Sequence, residues 1–126
     1  MNLPSLKYIT QAGGKLGMKL SQEFTDICTD KGIQFYAMYG QTEASPRMSY
    51  LASDKLSKNL GSIGKPLSKS FFRIIDEKKN FITKPNIIGE LVFYGKNVCL
   101  GYANNYKDLK KGDINKGILF TGDLAF

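Results

Sequence analysis

The sequence predicts an α/β fold: a parallel strand-helix-strand piece of an α/β layer, followed by a small, mostly antiparallel β subdomain. Three observations carry this. Apolar residues at helical spacing lie between two short apolar runs in the first 40 residues. The helical period is lost beyond about residue 53. From there, short β-rich runs alternate with glycine, proline and polar turn residues.

The first strand is read over Leu6–Thr10, and Gln11-Ala12-Gly13-Gly14 breaks it. From Lys15 to Lys31, Leu16, Leu20, Phe24, Ile27 and Cys28 fall on one helical face. Gly17 would weaken the first turn by about 1 kcal/mol relative to alanine, which moves the expected start towards Ser21. Gly32 is a suitable stop, because glycine tolerates the left-handed conformation. Ile33–Tyr39 then reads as a strand buried on both faces, ended by Gly40. A strand-helix-strand unit of this size is a right-handed crossover between parallel strands. It places the loops Gln11–Gly14 and Gly40–Ala44 at the carboxyl ends of both strands, the rim where ligands bind in open α/β sheets.

A boundary is expected around residues 46–60, dividing the chain into 1–53 and 54–126. In the second part, Phe71–Ile75 and Ile88–Tyr94 read as strands and Asp76–Asn80 as a polar turn. Tyr106–Lys111 reads as one helical turn, and Gly117–Phe120 as a short extended run that Thr121-Gly122-Asp123 turns.

Composition narrows the chemistry. The 126 residues suit one domain or two small subdomains, and 42% hydrophobic with 23% charged residues is globular. There is no histidine, which removes Ser-His-Asp and Cys-His catalysis and His-ligated zinc. Cys28 and Cys99 follow no metal or redox spacing and are read as reduced. No apolar run approaches the length of a membrane span, and the first residues lack a signal-peptide pattern, so a cytoplasmic location is expected. The net charge of +7 is uneven: residues 1–53 give 5 − 4 = +1 and residues 54–126 give 13 − 7 = +6. The lysines are scattered and only two residues are arginine, so this is read as a solvated face and not a nucleic-acid surface.

Tyr39-Gly40-Gln41-Thr42-Glu43 is the most informative stretch. It offers an aromatic ring at a strand end, a glycine that admits close backbone approach, a hydroxyl for a phosphate oxygen and a carboxylate suited to Mg²⁺. Ala12-Gly13-Gly14 could hold a ligand against bare backbone, yet no G-x-x-x-x-G-K-[ST] or G-x-G-x-x-G pattern is present. Asp123 puts a carboxylate where ribose hydroxyls could donate to it.

Taken in order, AGGKL, YGQTEA, GSIGKP, GELVFYGKNVCLGYANN and LFTGDLAF resemble the adenylate-forming superfamily: AMP-forming acyl-CoA synthetases, peptide-synthetase adenylation domains and luciferases. The resemblance covers nearly the whole chain, and LGYANN looks more like an acyl-CoA synthetase. It implies activation of a carboxylic acid by ATP and Mg²⁺ to an acyl-adenylate, then transfer to coenzyme A or a phosphopantetheine thiol. It implies that Tyr39 stacks on adenine and that Ala12, Gly13 and Gly14 line the adenine and acyl pockets. Thr42 would bond phosphate, Glu43 would bind Mg²⁺ as the second catalytic residue, Gly40 would admit the nucleotide, and Asp123 would hold the ribose. The family's phosphate loop would precede this stretch, and its hinge and catalytic lysine would follow it, so a fragment inactive alone is expected. Lys15 stands where many members carry a small residue. Met38 stands where many carry glycine at the floor of the acyl pocket, which would favour a small acid. The alternative is a non-catalytic nucleotide-binding or self-associating module from the same family, in which exposed sheet edges would pair two copies.

Overall fold

The computed structural model describes residues 4–126. Its contacts group into two compact units. One runs to Gly40 and resumes over Arg47–Lys65; the other comprises Gln41–Pro46 and Pro66–Phe126. The sequence alone suggests one cut near residue 53. The contacts instead place the short Gln41–Pro46 segment with the second unit.

In the first unit, β1 (Tyr8–Gln11) and β2 (Gln34–Tyr39) pair in parallel, from Tyr8 opposite Gln34 to Gln11 opposite Ala37. The crossover helix α1 spans Met18–Asp30. It starts earlier than Ser21, because Gly17 sits at the N-cap in an extended conformation (φ −58°, ψ 146°) and its carbonyl accepts from Ser21 N–H at 2.9 Å. Glycine costs helix stability only inside the helix, so the expected penalty does not arise. The far end is a Schellman motif. Gly32 takes φ 64°, its N–H reaches Thr29 O at 3.1 Å, and Ile33 N–H reaches Cys28 O at 2.7 Å.

The buried face of α1 is Ser21, Thr25 and Cys28, so of the expected apolar stripe only Cys28 is buried in the helix. Ile27 is 51% exposed and Leu20 44%. Thr25 enters the interior because its hydroxyl donates to Ser21 O at 2.7 Å, which removes the cost of burying it unbonded. Cys28, Phe35, Leu51 and Leu56 form the core, with Ile9, Leu16, Ile33 and Ala37 packed against it.

β2 is also less buried than expected: Phe35 is enclosed, Gln34 is exposed, and Tyr36 to Tyr39 are half-buried. One neighbour is an antiparallel strand with no strong sequence signal, β3 (Ser49–Leu51), which sets Tyr39 opposite Ser49 and Met38 opposite Tyr50. The four-residue α2 (Ser53–Leu56) follows. Ser53 Oγ accepts from Phe35 N–H at 3.1 Å, and Leu56 fills the core. The two-residue β4 (Lys65–Pro66) completes the order β1-β2-β3-β4.

The second unit holds β5 (Phe71–Ile75), β6 (Phe81–Ile82), β7 (Gly89–Tyr94) and β8 (Ile118–Ala125) in the order β6-β5-β7-β8. Every pairing among them is antiparallel. β7 is central, and its Leu91, Val92 and Phe93 are buried. Phe72 packs on Phe93 at 5.2 Å, and Phe71 stacks on Tyr94 at 4.6 Å. The short helical turn is present over Asp108–Lys110. Both cysteines are free thiols, and burial pushes Cys28 up from its ordinary pKa. Among the described residues, no helix is long and apolar enough to cross a membrane.

Candidate active site

The first unit carries a rim of its own. Parallel pairing of β1 and β2 puts the Gln11–Gly14 loop and Tyr39-Gly40 at the same end of the sheet. Gln11 folds over its own loop, donating from Nε2 to Gly14 O at 2.5 Å. Gly13 takes φ 95°, and a Cβ at Gly13 or Gly14 would meet nothing within 4 Å, so this backbone is open to a flat ligand. Ala12 is exposed beside it and Tyr39 is half-buried. The Tyr39 carbonyl accepts from Met48 N–H at 2.9 Å, which fixes the strand end. Met38 lies on the β2 face turned away from Phe35 and Ala37, because strand side chains alternate.

The second unit fixes Gln41–Pro46 from three sides. Thr42–Ala44 is a single 3₁₀ turn, and Ser45 follows in the left-handed conformation (φ 56°). Ala44 is fully buried. Glu43 O accepts from Cys99 N–H at 2.7 Å, and Ala44 O accepts from Asn97 Nδ2 at 2.6 Å. Ser45 Oγ donates to Asn97 O at 3.2 Å. Finally, the Tyr102 hydroxyl donates to Glu43 Oε1. The loop after β7, which reads as bland in composition, is therefore the support of the Thr42–Ala44 turn. Asn97 and Tyr102 were missed by sequence reasoning. Their only signal was a side-chain donor within a few residues of a glycine, a pattern shared by ordinary loops.

The Tyr102 hydroxyl, and next the residue's own backbone N–H, hold the Glu43 carboxyl below its ordinary pKa. The same bond pushes the Tyr102 phenol up. Glu43 is thus a carboxylate at neutral pH.

Thr121-Gly122-Asp123 is not a strand-ending turn, as the sequence suggested. β8 continues to Ala125, and the tripeptide is a bulge. Val92 pairs with Phe120 and Glu90 with Leu124, so Thr121, Gly122 and Asp123 together face Leu91 alone. Gly122 absorbs the distortion at φ 71°. The Thr121 hydroxyl secures it, donating to Leu91 O at 2.7 Å and accepting from Asp123 N–H at 3.1 Å. Gln41 then bonds the bulge from outside: its Nε2 donates to Thr121 O at 2.7 Å and to Asp123 Oδ2 at 3.1 Å.

A shallow cleft of about 380 Å³ results, walled by Gln41, Glu43, Tyr102, Asn115 and the β8 residues Ile118 to Thr121. Its size is that of a small-molecule site. Glu43 lines it, Asp123 is linked to it through Gln41, and Thr42 is exposed outside its walls. Among the described residues no group of three or more His, Cys, Asp or Glu could hold a metal.

The chain matches the model of the AMP-binding enzyme family over residues 1–103. It is 41% identical over 101 residues to a 2-succinylbenzoate–CoA ligase of Bacillus cereus (strain AH820), covering 80% of this chain and 20% of the relative. A second such ligase, from Bacillus cereus strain ZK, is 37% identical over 123 residues, 98% of this chain and 24% of the relative. The fold resembles that of O-succinylbenzoate coenzyme A synthetase from Bacillus subtilis in complex with AMP. The TM-score is 0.77 at 29% identity, covering 99% of this chain and 24% of that one. The same synthetase in complex with ATP and magnesium ion gives a TM-score of 0.74 over 95% and 24% of the two chains. The chain thus spans about a quarter or less of the length of these proteins. The family model matches residues 1–103 of the 126, so this chain belongs to the AMP-binding enzyme family.

Proposed function

We propose that this chain is the nucleotide-contacting part of an AMP-forming acid–CoA ligase, late in its large N-terminal domain and inactive alone. The observation that carries the reading is the Gln41–Ala44 turn, held by bonds to the loop after β7 and to the β8 bulge. In the reaction a carboxylate oxygen of the acid attacks the α-phosphorus of ATP, and pyrophosphate leaves. A thiol sulfur of coenzyme A, or of a phosphopantetheine arm, then attacks the acyl carbon, and AMP leaves.

The residues take these roles. Tyr39 offers its ring to the adenine. Ala12, Gly13, Gly14 and Gly40 bring bare backbone against the nucleotide and the acyl group. The Thr42 hydroxyl donates to phosphate, and Asp123 accepts from the ribose hydroxyls. Glu43 would hold Mg²⁺, which would supply positive charge to offset that of the phosphates. Met38 closes the acyl pocket and favours a small acid. No step needs histidine, since positioning and electrostatic stabilisation lower the barrier. The names of the relatives make 2-succinylbenzoate, a bulkier acid than Met38 would favour, the first to test beside a small acid. A reaction that draws on ATP and coenzyme A belongs in the cytoplasm.

The test is acid-dependent ATP–pyrophosphate exchange. The full-length protein should exchange, with Glu43→Gln reducing the rate at least about 100-fold, the usual scale for losing one electrostatic group. The 126-residue chain should not exchange. Exchange by the short chain would overturn the fragment reading, and full activity of Glu43→Gln would overturn the metal role.

A second reading, a self-associating module, draws support from apolar exposure along β8, where Phe120 is 54% exposed and Leu124 74%. Sedimentation across concentrations tests it; a monomer at high concentration excludes edge pairing.

A further inference from the structure

Gln41 was the one residue of the YGQTE stretch to which the sequence offered no role. Its amide makes two bonds, to residues 80 and 82 positions away, both in the bulge of β8. The bulge explains why it is needed. With three residues facing Leu91 the ladder is irregular here, and a partly buried carbonyl such as that of Thr121 is costly to leave without a donor. Gln41 Nε2 supplies a donor to it at 2.7 Å. The same nitrogen meets Asp123 Oδ2 at 3.1 Å, so one amide ties the backbone of the bulge to the carboxylate it carries. The Thr121 hydroxyl holds the Asp123 backbone, and Gln41 holds its side chain.

We propose that Gln41 is a positioning residue that fixes the Asp123 carboxylate for a ribose diol, and so governs discrimination between ribo- and deoxyribonucleotides. This rests on the reading of Asp123 as the ribose contact. A carboxylate fixed at Oδ2 retains acceptor capacity for two hydroxyl donors, since each of its oxygens has two lone pairs. Loss of the amide would leave the adenine, phosphate and metal contacts in place and weaken only what depends on the diol.

The experiment measures binding of ATP, 2′-deoxy-ATP and 3′-deoxy-ATP by calorimetry to the full-length protein and its Gln41→Met, Gln41→Glu and Asp123→Asn variants. Gln41→Met keeps the length of the side chain and removes both donors. It should weaken ATP about tenfold, the scale of one charge-assisted hydrogen bond, and change the deoxynucleotides about twofold or less. Gln41→Glu sets a carboxylate against Asp123 and should collapse the same preference, which covers the case in which the methionine variant does not fold. Asp123→Asn should erase the preference for ATP. If Asp123→Asn keeps it, or if the unaltered protein binds all three alike, the ribose reading fails and this inference with it. If Asp123→Asn erases the preference while both Gln41 variants retain it, the ribose reading stands and the inference is overturned. Equal weakening of all three nucleotides by Gln41→Met would mark a merely structural role and also overturn it.

Discussion

Replacing Thr121 by valine isolates the device that shapes the β8 bulge. The two side chains are nearly equal in volume, so no cavity forms, and the change removes one hydroxyl. That hydroxyl donates to the carbonyl of Leu91, a residue only 4% exposed, and accepts from Asp123 N–H. Leaving a buried carbonyl without its donor costs about 1–3 kcal/mol. The Asp123 N–H is in an exposed residue and can turn to water, so little is added for it. The expected loss is therefore about 2 kcal/mol, which at a urea dependence of about 2 kcal/mol per molar lowers the unfolding midpoint by about 1 M. Thr121→Ser keeps the hydroxyl and loses one partly exposed methyl, for a cost below about 0.8 kcal/mol. Urea unfolding of the three proteins, with hydrogen exchange at the Asp123 amide, reads both effects. Valine should lower the midpoint and speed exchange, and serine should do neither to the same degree. Equal midpoints for valine and serine, with unchanged exchange at Asp123, would show that the hydroxyl does not hold the bulge.

Three further outcomes follow from the same geometry. Tyr102→Phe removes the donor that lowers the Glu43 pKa, and the bond has its charge-assisted strength only while Glu43 is ionised and the phenol is protonated. Its stabilisation is present above the unfolded carboxylate pKa and lost as pH falls through the lowered Glu43 value; at the alkaline end it is lost as pH rises through the raised tyrosine value. Stability curves of wild type and Tyr102→Phe should thus differ at neutral pH and converge at both extremes, and a constant offset at all pH would refute the pairing. Gly64→Ala places a Cβ against the Tyr50 carbonyl at φ 72°, whereas Gly61→Ala, at φ 84°, meets nothing. The left-handed strain of about 1–2 kcal/mol is common to both, so thermal unfolding should show a clearly larger loss at Gly64. Met38→Gly should widen the range of acids that support pyrophosphate exchange; an unchanged acid profile would remove Met38 from the pocket.

The strand-helix-strand order was legible because it depends on local periodicity and on Gly32, whose left-handed φ closes the Schellman motif. The antiparallel character of the second unit was legible from turn residues between β-rich runs. What stayed hidden is set by partners distant in sequence. β3 is three residues long and polar enough to pass for a linker, and its pairing with β2 exists only because the chain returns there. The buried face of α1 was misread for a related reason. Periodicity identifies the most apolar face, but this helix turns Ser21, Thr25 and Cys28 inward, and only the side-chain bond from Thr25 to Ser21 O makes that choice acceptable.

The site divides along the same line. Residue types announced the ring, the hydroxyl and the two carboxylates, because their chemistry belongs to single side chains. The placement of the Thr42–Ala44 turn and of the two carboxylates belongs to Gln41, Asn97, Tyr102 and the Thr121 hydroxyl, which are ordinary loop and strand residues until a bond spans 30 to 82 positions of chain. Such bonds leave no periodic trace, since one amide or phenol suffices and its neighbours are unconstrained. A chain could keep every announced residue, lose Gln41 and Tyr102, and still read as the same motif. Substitutions at these supporting positions should therefore alter affinity and selectivity while the motif stays intact, and this makes them the informative place to look for differences among proteins that share YGQTE and TGD.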